Sequence, residues 1–187
     1  LFLIIFLLNR CCISEKFISN KYRTLDEIYN GNSSLSKVNY IHGIPEVVFI
    51  VWFGDKISNN RLKALNSLVN NLGVPYILIT EKNYKYFQLN NYPIHRGFQY
   101  LSGNHKSDYL RAYLLHHYGG GYHDIKYRDK NWINQWNTFS DSNIWIKSRA
   151  EKKMSSVGYN VDNIGEKMIQ TKYKELGSMC WVICRPR

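Results

Sequence analysis

No CxxC pair and no Cys/His cluster occurs in this chain, which removes the usual frameworks for a structural zinc site. Its four cysteines fall into two couples. Cys11 and Cys12 are adjacent. Cys180 and Cys184 stand in a strand-like segment, where about 3.3 Å per residue puts their Cα atoms roughly 13 Å apart, too far for a disulfide. The cysteines therefore leave the redox compartment open. Nor is there a block of five or six basic residues, although 25 Lys and Arg outnumber 14 Asp and Glu and set the formal net charge at +11. A basic balance favours polyanions, anionic membranes or phosphorylated ligands. Lysines spread thinly among asparagines and tyrosines do not make a nucleic-acid patch, and no nucleic-acid partner is expected. A P-loop, a dinucleotide glycine fingerprint and a Ser-His-Asp arrangement are also missing. The apolar run over residues 1–8 is too short to span a bilayer, which takes about 20 residues.

What is present suits one domain with a real core. The 187 residues are 44% hydrophobic and 21% charged, and aromatics reach 15%, with 15 Tyr and 5 Trp. That aromatic content fits a packed core better than a stacking surface. Residues 1–12 read as the tail of a signal peptide or membrane anchor, with Cys11 and Cys12 placed as palmitoylated cysteines often are; the alternative for the apolar run is a buried strand. The anchor reading implies a membrane-associated or secretory, Golgi-like location; without an anchor the location is cytoplasmic. Asn32-Ser33-Ser34 is a glycosylation sequon that matters only in a secretory lumen. Residues 13–44 form a polar segment, with a short helix expected over 24–30 and a loop over 31–36. The main domain is expected over 45–187. Its last segment reads as a strand over 179–184 with no closing element after it, so the domain is expected to continue beyond Arg187.

The pattern over 45–80 is strand, helix, strand. "PEVVFIVWFG" is nearly continuous in Val, Ile and Phe, as a strand buried on both faces should be. Leu62, Leu65, Leu68, Val69 and Leu72 follow at helical spacing, and Gly73 sits where a C-terminal cap belongs. "VPYILIT" is the second strand. This order predicts a right-handed crossover and a parallel sheet, with ligands beyond the carboxyl ends of the strands. Trp52 and Gly54 fall in that region. A short helix is expected near 83–89. A longer one is expected over 105–118, capped by Ser102 or Asn104. Asp108 and Arg111 share a face of it. Gly119, Gly120 and Gly121 end it, and three glycines predict a close approach of backbone to backbone or to ligand. Residues 122–127 read as a strand with Asp124 and Lys126 on one face and His123 facing away as a structural residue. Trp132, Ile133 and Trp136 form a core stripe.

The block "KSDYLRAYLLHHYGGGYHDIK" resembles the central motif of sugar transferases with a GT-A fold. It is similar to capsular polysaccharide synthesis proteins and to glycosyltransferase family 32, which includes mannosyltransferases, and more distantly to the sugar-transferring domain of large clostridial toxins. Ser107, Asp108, Arg111, Tyr118, Gly119, Gly120, Tyr122 and Asp124 carry the likeness, and "VFIVWFG" resembles the first strand of the same families. The resemblance implies a Rossmann-type α/β domain that moves a hexose from a nucleotide-diphosphate sugar to a glycan or polysaccharide, with anomeric configuration retained. It implies that Trp52 stacks on the base beside Gly54. Ser107, Asp108, Arg111, Gly120, Gly121 and Tyr122 hold the donor, and Asp124 binds ribose or, through water, a divalent Mn2+ or Mg2+.

Position 126 departs from that pattern, because most members of these families carry a second acid where this chain has Lys126, although the resemblance extends to a capsular-synthesis-like branch with a Gly-Gly-Gly-Tyr-x-Asp-Ile-Lys version. A lysine removes an oxygen ligand and adds a charge that repels a metal, by about 4 kcal/mol at 4 Å in an effective dielectric of 20. Three readings stay open. Lys126 acts with Asp124 in catalysis and takes over the metal's work on the diphosphate. Alternatively, Asp124 and an acid beyond Arg187 hold the metal. In the third, the chain is an inactive nucleotide-sugar-binding fragment. A basic nucleic-acid-binding module is the rival from another class, and it leaves Asp108 and Asp124 unexplained.

Overall fold

The computed structural model describes residues 22–23, 39–157 and 169–187. The expected anchor over 1–8, Cys11, Cys12, the helix over 24–30, the loop over 31–36 and the sequon at Asn32 lie outside the described residues. Two short antiparallel ribbons flank the main sheet. β1 (Tyr22–Arg23) pairs with β5 (Ile57–Ser58), and β2 (Tyr40–Ile41) with β3 (Ile44–Pro45).

The main sheet has five strands: β4 (Val48–Val51), β6 (Tyr76–Ile79), β7 (Gly120–His123), β8 (Ile146–Ala150) and β9 (Gly177–Cys184), in the order β6-β4-β7-β9-β8. β4 runs parallel to β6 and to β7, as the strand-helix-strand pattern predicts. β9 is antiparallel to both β7 and β8, so the sheet is mixed rather than parallel throughout. Helix α1 (Asn59–Leu72) joins β4 to β6 after the short β5. Ser58 caps its start and Gly73, at φ 73°, closes its end in the left-handed conformation expected there. Helix α2 (Gly103–Tyr118) precedes β7, and its N-cap is Ser102, whose hydroxyl accepts from His105 N–H.

Alternation along β4 builds a core on each face. Val48 and Ile50 pack with Tyr76, Leu78, Ile183, the α1 leucines, Trp132 and Trp136. Val47, Phe49 and Val51 pack with Ile77, Ile79, Tyr122, Val182 and the α2 residues Leu110, Leu114 and Leu115. The result is α1 and the tryptophan segment on one side and α2 with its aromatic loops on the other. Every residue of β4 is buried, as a two-faced apolar strand requires.

Three expectations shift. The strand expected over 122–127 lies at Gly120–His123, so the glycines belong to it and Asp124 follows its end. Beyond it the Ile125 carbonyl accepts from Arg61 of α1 rather than from a neighbouring strand. The core stripe holds for Trp132 and Trp136, which are fully buried, but Ile133 is 47% exposed. The turn over Gln135–Ser140 is 3-10 and starts after Ile133, so an α-helical stripe does not describe it. The helix near 83–89 is likewise a 3-10 turn, Tyr84–Phe87. Cys180 and Cys184 are free, as their spacing requires.

Candidate active site

β4 and β7 are parallel, so Trp52 and Asp124 leave the sheet at the same edge. The start of α2 is held there by close contact. A Cβ at Gly103 would lie 2.9 Å from the Phe53 carbonyl oxygen. Lys106 adds to this join, with its ammonium 5.5 Å from the Phe53 ring and 3.6 Å from Glu81. Asp108 and Arg111 thus project from the first turns of α2 at the carboxyl end of the sheet.

Asp124 is fixed at both backbone and side chain. Its N–H donates to the Cys180 carbonyl at 2.8 Å. Its carbonyl accepts from His123 Nδ1 at 2.6 Å. The next carbonyl, of Ile125, accepts from Arg61 at 2.7 Å. Tyr122 donates its hydroxyl to Asp124 Oδ1 at 3.1 Å, and Lys126 Nζ lies 2.9 Å from Oδ2. Asp124 and Lys126 do come together, although both lie past the end of β7, where strand alternation no longer sets their faces. Lys126 is 53% exposed and Asp124 30% exposed, so the pair is open to a ligand.

Arg111 links α2 to this group. It pairs with Asp108 at 2.9 Å, donates to the Met179 carbonyl at 3.3 Å and lies 5.3 Å from the Tyr122 ring centroid. Tyr122 is buried under it. Desolvation, and then the Asp124 carboxylate, push the Tyr122 phenol well above its ordinary range, so it remains a proton donor. Burial lowers His123 to about 4, against a smaller opposing effect of its bond to the Asp124 carbonyl. At neutral pH the ring is uncharged, and donation to a carbonyl fixes the proton on Nδ1. His123 packs against Trp132, with ring centroids 5.8 Å apart.

The other anticipated residues sit apart from this group. Trp52 packs with the α1-side core, and its indole N–H is buried without a hydrogen-bond partner. Gly54 lies beside that indole. Ser107 turns back on its own helix and donates to the Gly103 carbonyl at 3.0 Å. Gly120 and Gly121 stand at the opposite end of β7 from Asp124. A Cβ at Gly121 would come within 2.7 Å of Trp132 Cζ3, and one at Gly120, where φ is 88°, within 3.1 Å of the Val47 carbonyl oxygen. The space beside these glycines is filled by protein. Arg61 and the backbone of β9 were not foreseen. No local signal marks either, since each reaches the site from a distant part of the chain.

The donor set around Asp124 does not fit a divalent cation. Both carboxylate oxygens already meet protein donors, and one of these carries a positive charge. Among the described residues no three His, Cys, Asp or Glu side chains converge. A hard dication needs several oxygen ligands; this arrangement offers one carboxylate and an ammonium.

No characterised protein and no solved structure matches the chain. Residues 32–143, more than half of the chain, match the family described as the glycosyltransferase sugar-binding region containing a DXD motif. The match spans β4, α1, α2, β7 and the Asp124–Lys126 segment. The chain belongs to this family of glycosyltransferase sugar-binding regions.

Proposed function

We propose that this chain is a GT-A-type glycosyltransferase domain whose donor is a nucleotide-diphosphate sugar, and that Lys126 and Arg111 supply the positive charge its diphosphate requires. The observation that carries this reading is the convergence of Asp108, Arg111, Tyr122, Asp124 and Lys126 at the carboxyl end of a parallel strand pair. In transfer, the bond from the anomeric carbon to the diphosphate oxygen breaks and the electron pair leaves with the diphosphate. A hydroxyl of the acceptor forms the new bond to the anomeric carbon, and its proton passes to the departing diphosphate oxygen. Positive charge develops on the sugar and negative charge on the leaving group. Lys126, half-exposed and paired with Asp124 at 2.9 Å, turns its ammonium to that leaving oxygen. Asp124 and Asp108 are left to accept from sugar or ribose hydroxyls. Trp52 offers an aromatic face for the base beside Gly54.

The hexose, retention of configuration and a glycan or polysaccharide acceptor rest on the likeness of residues 105–127 to capsular-synthesis and family 32 enzymes. Membrane association through residues 1–8 rests on their composition; among the described residues no helix is long and apolar enough to cross a membrane. The test is calorimetric titration of UDP- and GDP-linked hexoses into the purified chain, with Mn2+ and then with EDTA. Binding that survives EDTA and falls tenfold or more in Lys126→Ala is the expected result. Binding restored only by Mn2+ overturns the role of Lys126. No binding by a folded chain favours the inactive fragment.

A further inference from the structure

We propose that Tyr122 is a positioning residue for Asp124, which fixes the carboxylate rotamer that meets the donor and does not itself touch the sugar nucleotide. The inference rests on the reading of Asp124 as a donor-facing group. Tyr122 is 3% exposed, so its ring faces the core and has no surface to offer a ligand. Its hydroxyl is the polar end, and it donates to Asp124 Oδ1 at 3.1 Å. The other oxygen belongs to Lys126 at 2.9 Å. The two partners differ in what holds them. Lys126 is a flexible chain, half-exposed, that a diphosphate can draw away. Tyr122 is rigid: its ring packs among Val47, Val182 and Leu110 on the α2 side and lies beneath the Arg111 guanidinium, which Asp108 anchors in turn. When Lys126 swings to the donor, Tyr122 keeps Asp124 in place. A carboxylate with only the lysine as partner would follow it or rotate away.

Charge agrees with this division. Burial and the neighbouring carboxylate keep the phenol protonated, so its O–H remains available to donate to Asp124, whose ionised oxygens can only accept. The removal of one hydroxyl tests the point, because Tyr122→Phe retains the ring, its packing and its contact with Arg111.

The experiment is a double-mutant cycle of Tyr122→Phe and Asp124→Asn, read by calorimetric affinity for the UDP- and GDP-linked hexoses and by the 13Cζ resonance of Tyr122, assigned by its loss in Tyr122→Phe. Tyr122→Phe should weaken donor binding about tenfold, as loss of a hydrogen bond to a charged group does. In the Asp124→Asn background the same change should cost no more than about twofold, since the partner it serves is already altered. The Tyr122 resonance should move in Asp124→Asn, a response that a purely packing tyrosine would not give. Wild-type affinity in Tyr122→Phe, or full additivity, overturns the proposal. If the wild-type chain binds none of these donors, the donor reading fails separately. The resonance then decides the hydrogen bond, and a resonance that stays still in Asp124→Asn overturns the positioning role too.

Discussion

The chain entering β7 and the chain leaving it, on either side of a four-residue strand, are built on opposite principles. At its entry stand Gly120 and Gly121, chosen for what they lack: there is no room for a Cβ between them and Val47, Pro45 or Trp132. At its exit stand Asp124 and Lys126, chosen for what they carry, a pair of opposite charges half-open to solvent. A motif that reads as one unit in the sequence is therefore two devices. The glycines seat the strand against β4 and the tryptophan layer, and the charged pair projects beyond the sheet. Residues at the entry should govern stability, and residues at the exit should govern ligand binding.

The strongest break of that comparison is Trp132→Ala. The ring is fully buried against the Gly121 backbone, His123, Trp136 and Trp181, and its loss should cost about 3–5 kcal/mol in denaturant unfolding. Acid should act next, through His123. Its folded pKa of about 4 lies below the ordinary 6.5, so the unfolded chain binds the proton more readily. The stability this contributes is complete above pH 6.5 and is lost as pH falls through 6.5 toward 4. The loss is about 3 kcal/mol, seen as a fall in melting temperature over that window that His123→Asn would flatten. Gly121→Ala should cost about 1–3 kcal/mol by overpacking against Trp132, with donor affinity unchanged in the folded fraction. Smallest in stability, and the sharpest at the exit, is Lys126→Asp. Unfolding should move by about 0.5 kcal/mol or less, as exposed charge changes do. Donor binding should switch from EDTA-resistant to Mn2+-dependent. Entry substitutions that abolish binding while the fold is intact would erase the distinction.

Local pattern made much of this fold legible. β4 and β6 declare themselves as apolar runs, α1 by its leucine spacing and Gly73, and the start of α2 by Ser102. The pairing of Asp108 with Arg111 follows from helical periodicity, whereas Asp124 and Lys126 meet in the irregular chain after β7. The glycines were harder, because a glycine reports only that space is short and not whether ligand, backbone or indole fills it. Tyr122 stands two residues before Asp124, but its burial under Arg111 depends on how α2 crosses the sheet. Arg61 sits on the exposed side of α1 by periodicity, and its bond to the Ile125 carbonyl spans 64 residues. Ile133 failed because the pattern was read with an α-helical period where the chain turns as 3-10.

β9 lies between β7 and β8, and it is the last of the described strands to be synthesised. Its Cys180 carbonyl takes the Asp124 N–H, and its Met179 carbonyl takes Arg111. A nascent chain stopped before Gly177 would already hold every letter of the motif, with no strand yet present to close those bonds. The order of synthesis thus separates possession of the motif from assembly of the site, because the bonds that fix Asp124 and Arg111 close only after β9 has been made and has paired with β7.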